Sequence, residues 1–187
     1  KTTVNKDLDG VYYTYKVLVG NTYQEAVDPY AKAVGVNGHR GMVIDLSQTN
    51  PVNWDQDVKP DLDNFTDAII YELHVRDLSI SETSGITNKG KFLGLTELNT
   101  VNPDGLSTGL DHIKDLGITH LQLLPVFDYR SIDETKLDEN NFNWGYDPQN
   151  YNAVEGSYST NPDDGALRIN EFKTMVKSLH DEDIRVV

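Results

Sequence analysis

Ala68-Ile69-Ile70-Tyr71-Glu72-Leu73-His74-Val75-Arg76 decides the architecture of this chain. Its β-branched and aromatic residues, alternating in polarity toward the end, read as a strand. His120-Leu121-Gln122-Leu123-Leu124-Pro125 reads as a second strand, with a short helix from Leu110 to Leu116 before it and a long loop after it that runs through residues 142–148. Phe172, Met175, Val176 and Leu179 fall at i, i+3, i+4 and i+7, one face of an amphipathic helix. Ile184-Arg185-Val186-Val187 then begins a third strand. Strands alternating with helices imply parallel βαβ units and an α/β fold.

Upstream the pattern changes character. Val11 to Val19 is β-branched and aromatic, Gly20-Asn21 suits a turn, and Tyr23 to Val27 returns as the second strand of a hairpin. A third short strand, Gly41 to Leu46, follows Asn37-Gly38, and Ser47 to Phe65, rich in Asn, Asp and Pro, reads as a connector. The expected organisation is the end of a β-sandwich module with its connector over residues 1–60, then the first part of a (β/α)8 TIM barrel over residues 61–187. A complete barrel needs about 200 residues or more, and roughly 120 of the 187 remain after the β-rich part. The expectation is therefore an incomplete barrel of two βα units and the start of a third strand, whose apolar edge wants a neighbour. The remaining C-terminal segment of the same polypeptide is the partner this implies.

Composition narrows the function. With 37% hydrophobic and 25% charged residues and a mean hydropathy of -0.51, the chain is globular in type. No apolar run approaches the roughly 18 residues of a membrane span. Its 16 basic against 30 acidic residues give a net charge of -14. That field repels a phosphate backbone, so nucleic acid is not an expected partner. The scattered acids, among them Asp55, Asp57, Asp133, Glu134, Asp138 and Glu139, read as a solvated surface. Zero cysteines exclude disulfides and thiolate metal sites. An extracellular or cell-surface setting is favoured, with the cytoplasm as the alternative.

Phe142-Asn143-Trp144-Gly145-Tyr146-Asp147-Pro148, running on into Gln149-Asn150-Tyr151-Asn152, has the chemistry of a sugar site. Flat rings stack on pyranose faces, and the amides and carboxylate between them satisfy hydroxyls. An aromatic-rich surface turn is the plain alternative, since Asn, Gly, Asp and Pro are ordinary turn formers.

The stretch also resembles the Tyr-Asn-Trp-Gly-Tyr-Asp-Pro signature of type I pullulanases, debranching enzymes of the α-amylase superfamily, with Phe142 in place of the usual tyrosine. Glu155-Gly156-Ser157-Tyr158-Ser159 continues the likeness. Tyr71 to Asp77 is similar to that family's first barrel strand and Gly117 to Asp128 to its second. Asp28-Pro29-Tyr30-Ala31-Lys32-Ala33 is similar to the end of the carbohydrate-binding β-sandwich that precedes the barrel. The resemblance implies hydrolysis of α-1,6 branch linkages in pullulan, starch or glycogen by a retaining mechanism. It also implies that Tyr146 stacks beneath the sugar whose bond is broken, with Asp147 as polar neighbour. Trp144 belongs to the same subsite and more plausibly shapes the loop. Isoamylase or another debranching enzyme, a non-catalytic α-glucan-binding module, and a structural fragment whose aromatics only pack are the alternatives.

Retaining glycosidases need two carboxyl groups about 5 to 5.5 Å apart. In the α-amylase superfamily these lie on later barrel strands, so none is matched here and no catalytic residue is assigned to this chain. Glu72, His74 and Arg76 would share one face of the first strand. A buried pairing network is the plainer reading for them, and Arg76, nearest the strand's carboxyl end, is the one that suits a substrate contact.

Other motifs carry less. Gly105-Leu106-Ser107-Thr108-Gly109 matches the nucleophile elbow, but the strand it needs is absent, and Ser107 or Thr108 reads as a helix N-cap. The histidines lack HExxH spacing, and no run fits an EF-hand. No cofactor is required by this chemistry. Calcium held by loop carboxylates and carbonyls stays open.

Overall fold

In the computed structural model, which describes residues 3–139 and 141–187, the amino-terminal part forms short antiparallel pairs. Tyr12–Tyr13 is β1, Tyr15–Val19 and Thr22–Ala26 are the hairpin strands β2 and β3, and Gly41–Met42 is β4, paired with β1. The hairpin turns at Gly20-Asn21 as expected, and every residue of its two strands is exposed. Two expectations shorten. The first strand breaks at Thr14, whose hydroxyl donates to Glu25 at 2.7 Å instead of continuing the ladder. The third ends at Met42, because Asp45 accepts from the Ser47 N–H and starts a tight helical turn over Leu46–Thr49.

The carboxyl-terminal part carries the α/β pattern: β5 (Ile70–Leu73), α1 (Val75–Ser79), α2 (Gly109–Asp115), β6 (His120–Leu123), β7 (Phe127–Tyr129), β8 (Pro148–Val154), α3 (Gly165–Asp181) and β9 (Arg185–Val186). Strands β5, β6 and β9 form one parallel sheet in that order, with Ile70 opposite His120 and His120 opposite Arg185. This is a partial TIM-barrel region. Among the described residues the three strands form an open arc, and no closed barrel is present.

The core lies where the helices meet this arc. Leu110 and Ile113 of α2 and Met175 and Leu179 of α3 are buried against Leu121 and Ile184, each burial contributing about 1.5–3 kcal/mol. Phe172 and Val176 pack at the edge of the same cluster, so the i, i+3, i+4, i+7 stripe faces inward. Helix α3 starts sharply because the Asp164 carboxylate accepts from the Ala166 and Leu167 N–H groups. No described helix is long and apolar enough to cross a membrane. The amino-terminal part is not separate from this core: Ala33 and Met42 pack on Ile169, and Lys173 of α3 donates to the Leu46 carbonyl and to Asn50.

Three sequence expectations need correction. The first parallel strand ends at Leu73. His74 accepts from the Asp77 N–H at 3.3 Å and caps α1, so Val75 and Arg76 are helical. Val75 and Leu78, three apart, both turn to the core, and this spacing competed with the alternation that suggested a longer strand. The long loop expected after β6 is instead an antiparallel pair, β7–β8, with an irregular register. Thr108 occupies the N-cap position of α2, but its hydroxyl donates to the Ser84 carbonyl at 2.6 Å and Ser107 donates to Asp115, so neither side chain caps the helix.

Candidate functional site

The residues joining β7 to β8 carry the aromatic stretch, and they rise from the carboxyl end of the parallel strands. His74, directly after β5, fastens them there. Its Nδ1 accepts from Asp77, which leaves the proton on Nε2 to donate to the Asn143 carbonyl at 2.8 Å; the Tyr158 hydroxyl lies 3.2 Å from the same nitrogen. The Phe142 ring packs over the imidazole with centroids 4.9 Å apart, and Trp144 meets Phe142 edge-on at 6.2 Å. A ring without a hydroxyl suits position 142, since its partners are ring faces. Gly145 follows at φ 87°, and a Cβ there would lie 2.6 Å from the Pro125 carbonyl oxygen. Only glycine lets the loop press against the end of β6 in this way.

On either side of that glycine the loop opens to solvent. Trp144 is 62% and Tyr146 67% exposed, unusual for large rings held in an ordered loop. Asp147 is placed by two partners: the Asn143 amide donates to one oxygen at 2.7 Å, and the Ser131 hydroxyl donates to the other. Burial pushes its carboxyl up, but these hydrogen bonds outweigh burial and hold it below the usual carboxylate value. It is therefore ionised at neutral pH, and a half-buried carboxylate is an acceptor suited to a ligand hydroxyl. Neither Asn143 nor Ser131 was singled out from sequence. Asn143 stood inside the motif, whereas Ser131 lies sixteen positions from Asp147 with no local signal.

Glu72, His74 and Arg76 do not share a face. Glu72 is exposed on β5 and accepts from Gln122 at 3.2 Å, His74 is buried as described, and Arg76 sits on α1 and pairs with Asp77 at 2.8 Å. Arg76 instead lines a cavity of about 140 Å³ beneath the aromatic loop, together with Asn143 and Tyr158.

Behind β7–β8 lies a buried ionic cluster. Arg168, 1% exposed, reaches Asp128 at 3.2 Å and Glu134 at 2.5 Å and also donates to the Pro162 carbonyl. Glu134, read from sequence as part of a solvated surface, is buried here. Asn37 completes the cluster from the amino-terminal part: its N–H donates to Glu134 and its side-chain oxygen accepts from the Glu134 N–H, both at 2.7 Å. Asn37 and Gly38 both have positive φ, and a Cβ on Gly38 would collide with the Asp128 carboxylate and the Asn150 amide.

Asp128, Glu134 and Glu155 each offer an oxygen within 4.8 Å of the others, a donor set of the kind calcium takes. They do not fit that ion. Arg168 already supplies the positive charge, and both oxygens of Glu155 accept backbone N–H groups, from Tyr129 and Ser157. Three carboxyl groups against one guanidinium leave negative charge in excess, and a retained proton relieves it. Burial, then the neighbouring Glu134, push Glu155 up to about 8; burial pushes Asp128 up to about 6 despite Asn150 and Arg168. Both values stand above the unfolded ones of about 3.9 and 4.3, so the stability these protons contribute is complete below about pH 4 and is lost as pH rises through 6 and 8. The midpoint of thermal unfolding should fall between pH 5 and pH 8.5, and a steady rise over that interval would contradict the cluster's proton.

The family described as "Alpha amylase, catalytic domain" matches residues 91–187. Over 186 residues the chain is 46% identical to a pullulanase of Bacillus subtilis (strain 168), covering 99% of this chain and 25% of that protein. It is 32% identical to "Pullulanase 1, chloroplastic" of Arabidopsis thaliana, covering 95% of this chain and 22% of that one. Among solved structures it is similar to a pullulanase from Paenibacillus barengoltzii in complex with maltohexaose and alpha-cyclodextrin, at 59% identity and a TM-score of 0.96, over 98% of this chain and 29% of that chain. The chain thus spans about a quarter of the length of the curated relatives it matches.

Proposed function

We propose, from the premise that this chain belongs to the alpha-amylase family, that it forms part of a glycoside hydrolase cleaving α-1,6-glucosidic branch linkages in pullulan, starch or glycogen. In this reading residues 1–60 end a carbohydrate-binding β-sandwich with its connector, and residues 61–187 open the catalytic barrel. The observation that carries the reading is the exposed pair Trp144 and Tyr146 next to an ionised Asp147 in the loop beyond the carboxyl end of the parallel strands, where barrel enzymes keep their active sites. Tyr146 stacks on a glucose ring, Asp147 accepts from its hydroxyls, and Trp144 with Phe142 fixes the loop's shape. The two carboxyl groups of a retaining mechanism belong to the rest of the polypeptide, and the chemistry draws on no cofactor. Arg76, set among other cations beneath the loop, is better read as a support than as a contact to a neutral sugar.

The pullulanase from Paenibacillus barengoltzii, bound to maltohexaose and cyclodextrin, supports an α-glucan as ligand. The decisive assay incubates pullulan with the whole polypeptide that carries these residues. Maltotriose should be released, and the 187-residue chain alone should release none. No reducing ends from the whole polypeptide, or turnover by this chain alone, would overturn the reading.

A further inference from the structure

The cavity beneath the aromatic loop has a charge opposite to that of the chain. Arg76, Lys89, Lys91 and Lys136 line it, a quarter of the 16 basic residues, and none of the described residues lining it is among the 30 acidic ones. In a chain of net charge -14, such a segregation asks for a cause. The acidic partners of these cations lie outside the cavity: Asp77 pairs with Arg76, Glu82 approaches Lys89 at 3.7 Å, and Asp133 and Glu139 reach Lys136 only at 3.9 Å. Lys91 has no carboxylate within ion-pair distance among the described residues and donates to the Ser157 carbonyl at 2.8 Å. An ammonium has three N–H donors. Burial lowers its pKa, although the carboxylates of Glu171, Glu134 and Glu155, which lie outside the cavity lining, act on it in the opposite sense.

We propose that this cavity binds a phosphate group, either free or as the monoester of a sugar. About 140 Å³ gives room for a tetrahedral oxyanion with a few waters. Four basic residues lining one cavity suit an anion with several oxygens, which a planar guanidinium and separate ammonium groups can share, although the Lys89 ammonium also donates to the Ser81 and Glu82 carbonyls. Ile132 and Leu137 close one side with apolar surface, which strengthens charge interactions within. Asn143, which positions Asp147, also lines the cavity, so an anion seated there adjoins the aromatic loop. The inference stands on the cavity's charge and survives if the glucan reading fails.

Isothermal titration calorimetry on the intact protein tests it, with inorganic phosphate, glucose 6-phosphate and glucose as separate titrants. Phosphate should bind saturably at one site per chain, and glucose should not. Lys91→Gln and Lys136→Gln should each weaken phosphate binding at least about tenfold, whereas Lys177→Gln, whose partner is Asp181 on the same helix, should leave it unchanged. Lys136 is exposed at the rim, so that variant keeps the test valid if Lys91→Gln does not fold. Tighter binding of glucose 6-phosphate than of phosphate makes a sugar monoester the ligand, and equal or weaker binding makes it the free anion. Absence of saturable phosphate binding, or equal weakening by Lys177→Gln, overturns the proposal.

Discussion

Arg168→Met will destabilise the fold by about 3–5 kcal/mol, the usual cost of removing one partner from a buried ionic group. The side chain is 1% exposed and is the guanidinium that meets Asp128 and Glu134, so its loss leaves three buried carboxyl groups with no cation in ion-pair contact among the described residues. Methionine fills similar volume, which separates lost charge from lost packing. The carboxyls must then take up further protons, so the variant should recover much of its stability toward pH 5. Arg168→Lys should recover little, because one ammonium cannot serve Asp128, Glu134 and the Pro162 carbonyl as a planar fork does. Denaturant titrations at pH 5 and pH 8 read both effects. A loss below about 1 kcal/mol at pH 8 would mean that the cluster does not hold the fold.

Tyr146→Ala will lower kcat/KM on pullulan in the whole polypeptide by about 30- to 1000-fold, equivalent to about 2–4 kcal/mol. Stacking alone supplies about 1–3 kcal/mol of that, and a sugar left free to shift adds misplacement of the scissile bond. Stability should hardly change, since the ring is 67% exposed. Tyr146→Phe should keep most of the activity because it keeps the ring face. Paired measurements of kcat/KM and melting temperature decide it. An unchanged rate in the alanine variant removes Tyr146 from the subsite, and a phenylalanine variant as slow as alanine moves the role to the hydroxyl.

The parts of the architecture that follow from near neighbours were legible in the sequence. The stripe Phe172, Met175, Val176, Leu179 needed only helical spacing, and α3 turns it to the core. The Gly20-Asn21 turn needed only its own residues and the strands beside them. Where β5 ends was not legible, because His74 caps a helix only once its Nε2 is committed to Asn143, sixty-nine positions away. The β7–β8 pair was missed for a related reason: its short strands meet across an interval of loop with an irregular register, so alternation in either one alone is weak. The rings and the acid of the aromatic loop stand out in the sequence, but its supports do not. Glu134 and Arg168 look like any charged residues of a solvated face, and only the chain's return buries them together.

The turn at Asn37-Gly38 has a consequence for anyone recombining such proteins. Asn37 is bonded in both directions to Glu134, and Gly38 lies too close to Asp128 and Asn150 to carry a side chain. A chimaera spliced at residue 60 would cut through no secondary structure, yet it would separate a plug from its socket. A donor amino-terminal segment without asparagine and glycine at these two positions would arrive with nothing to fill the acidic recess. The loop that carries Tyr146 would then rest on a foundation with a missing stone.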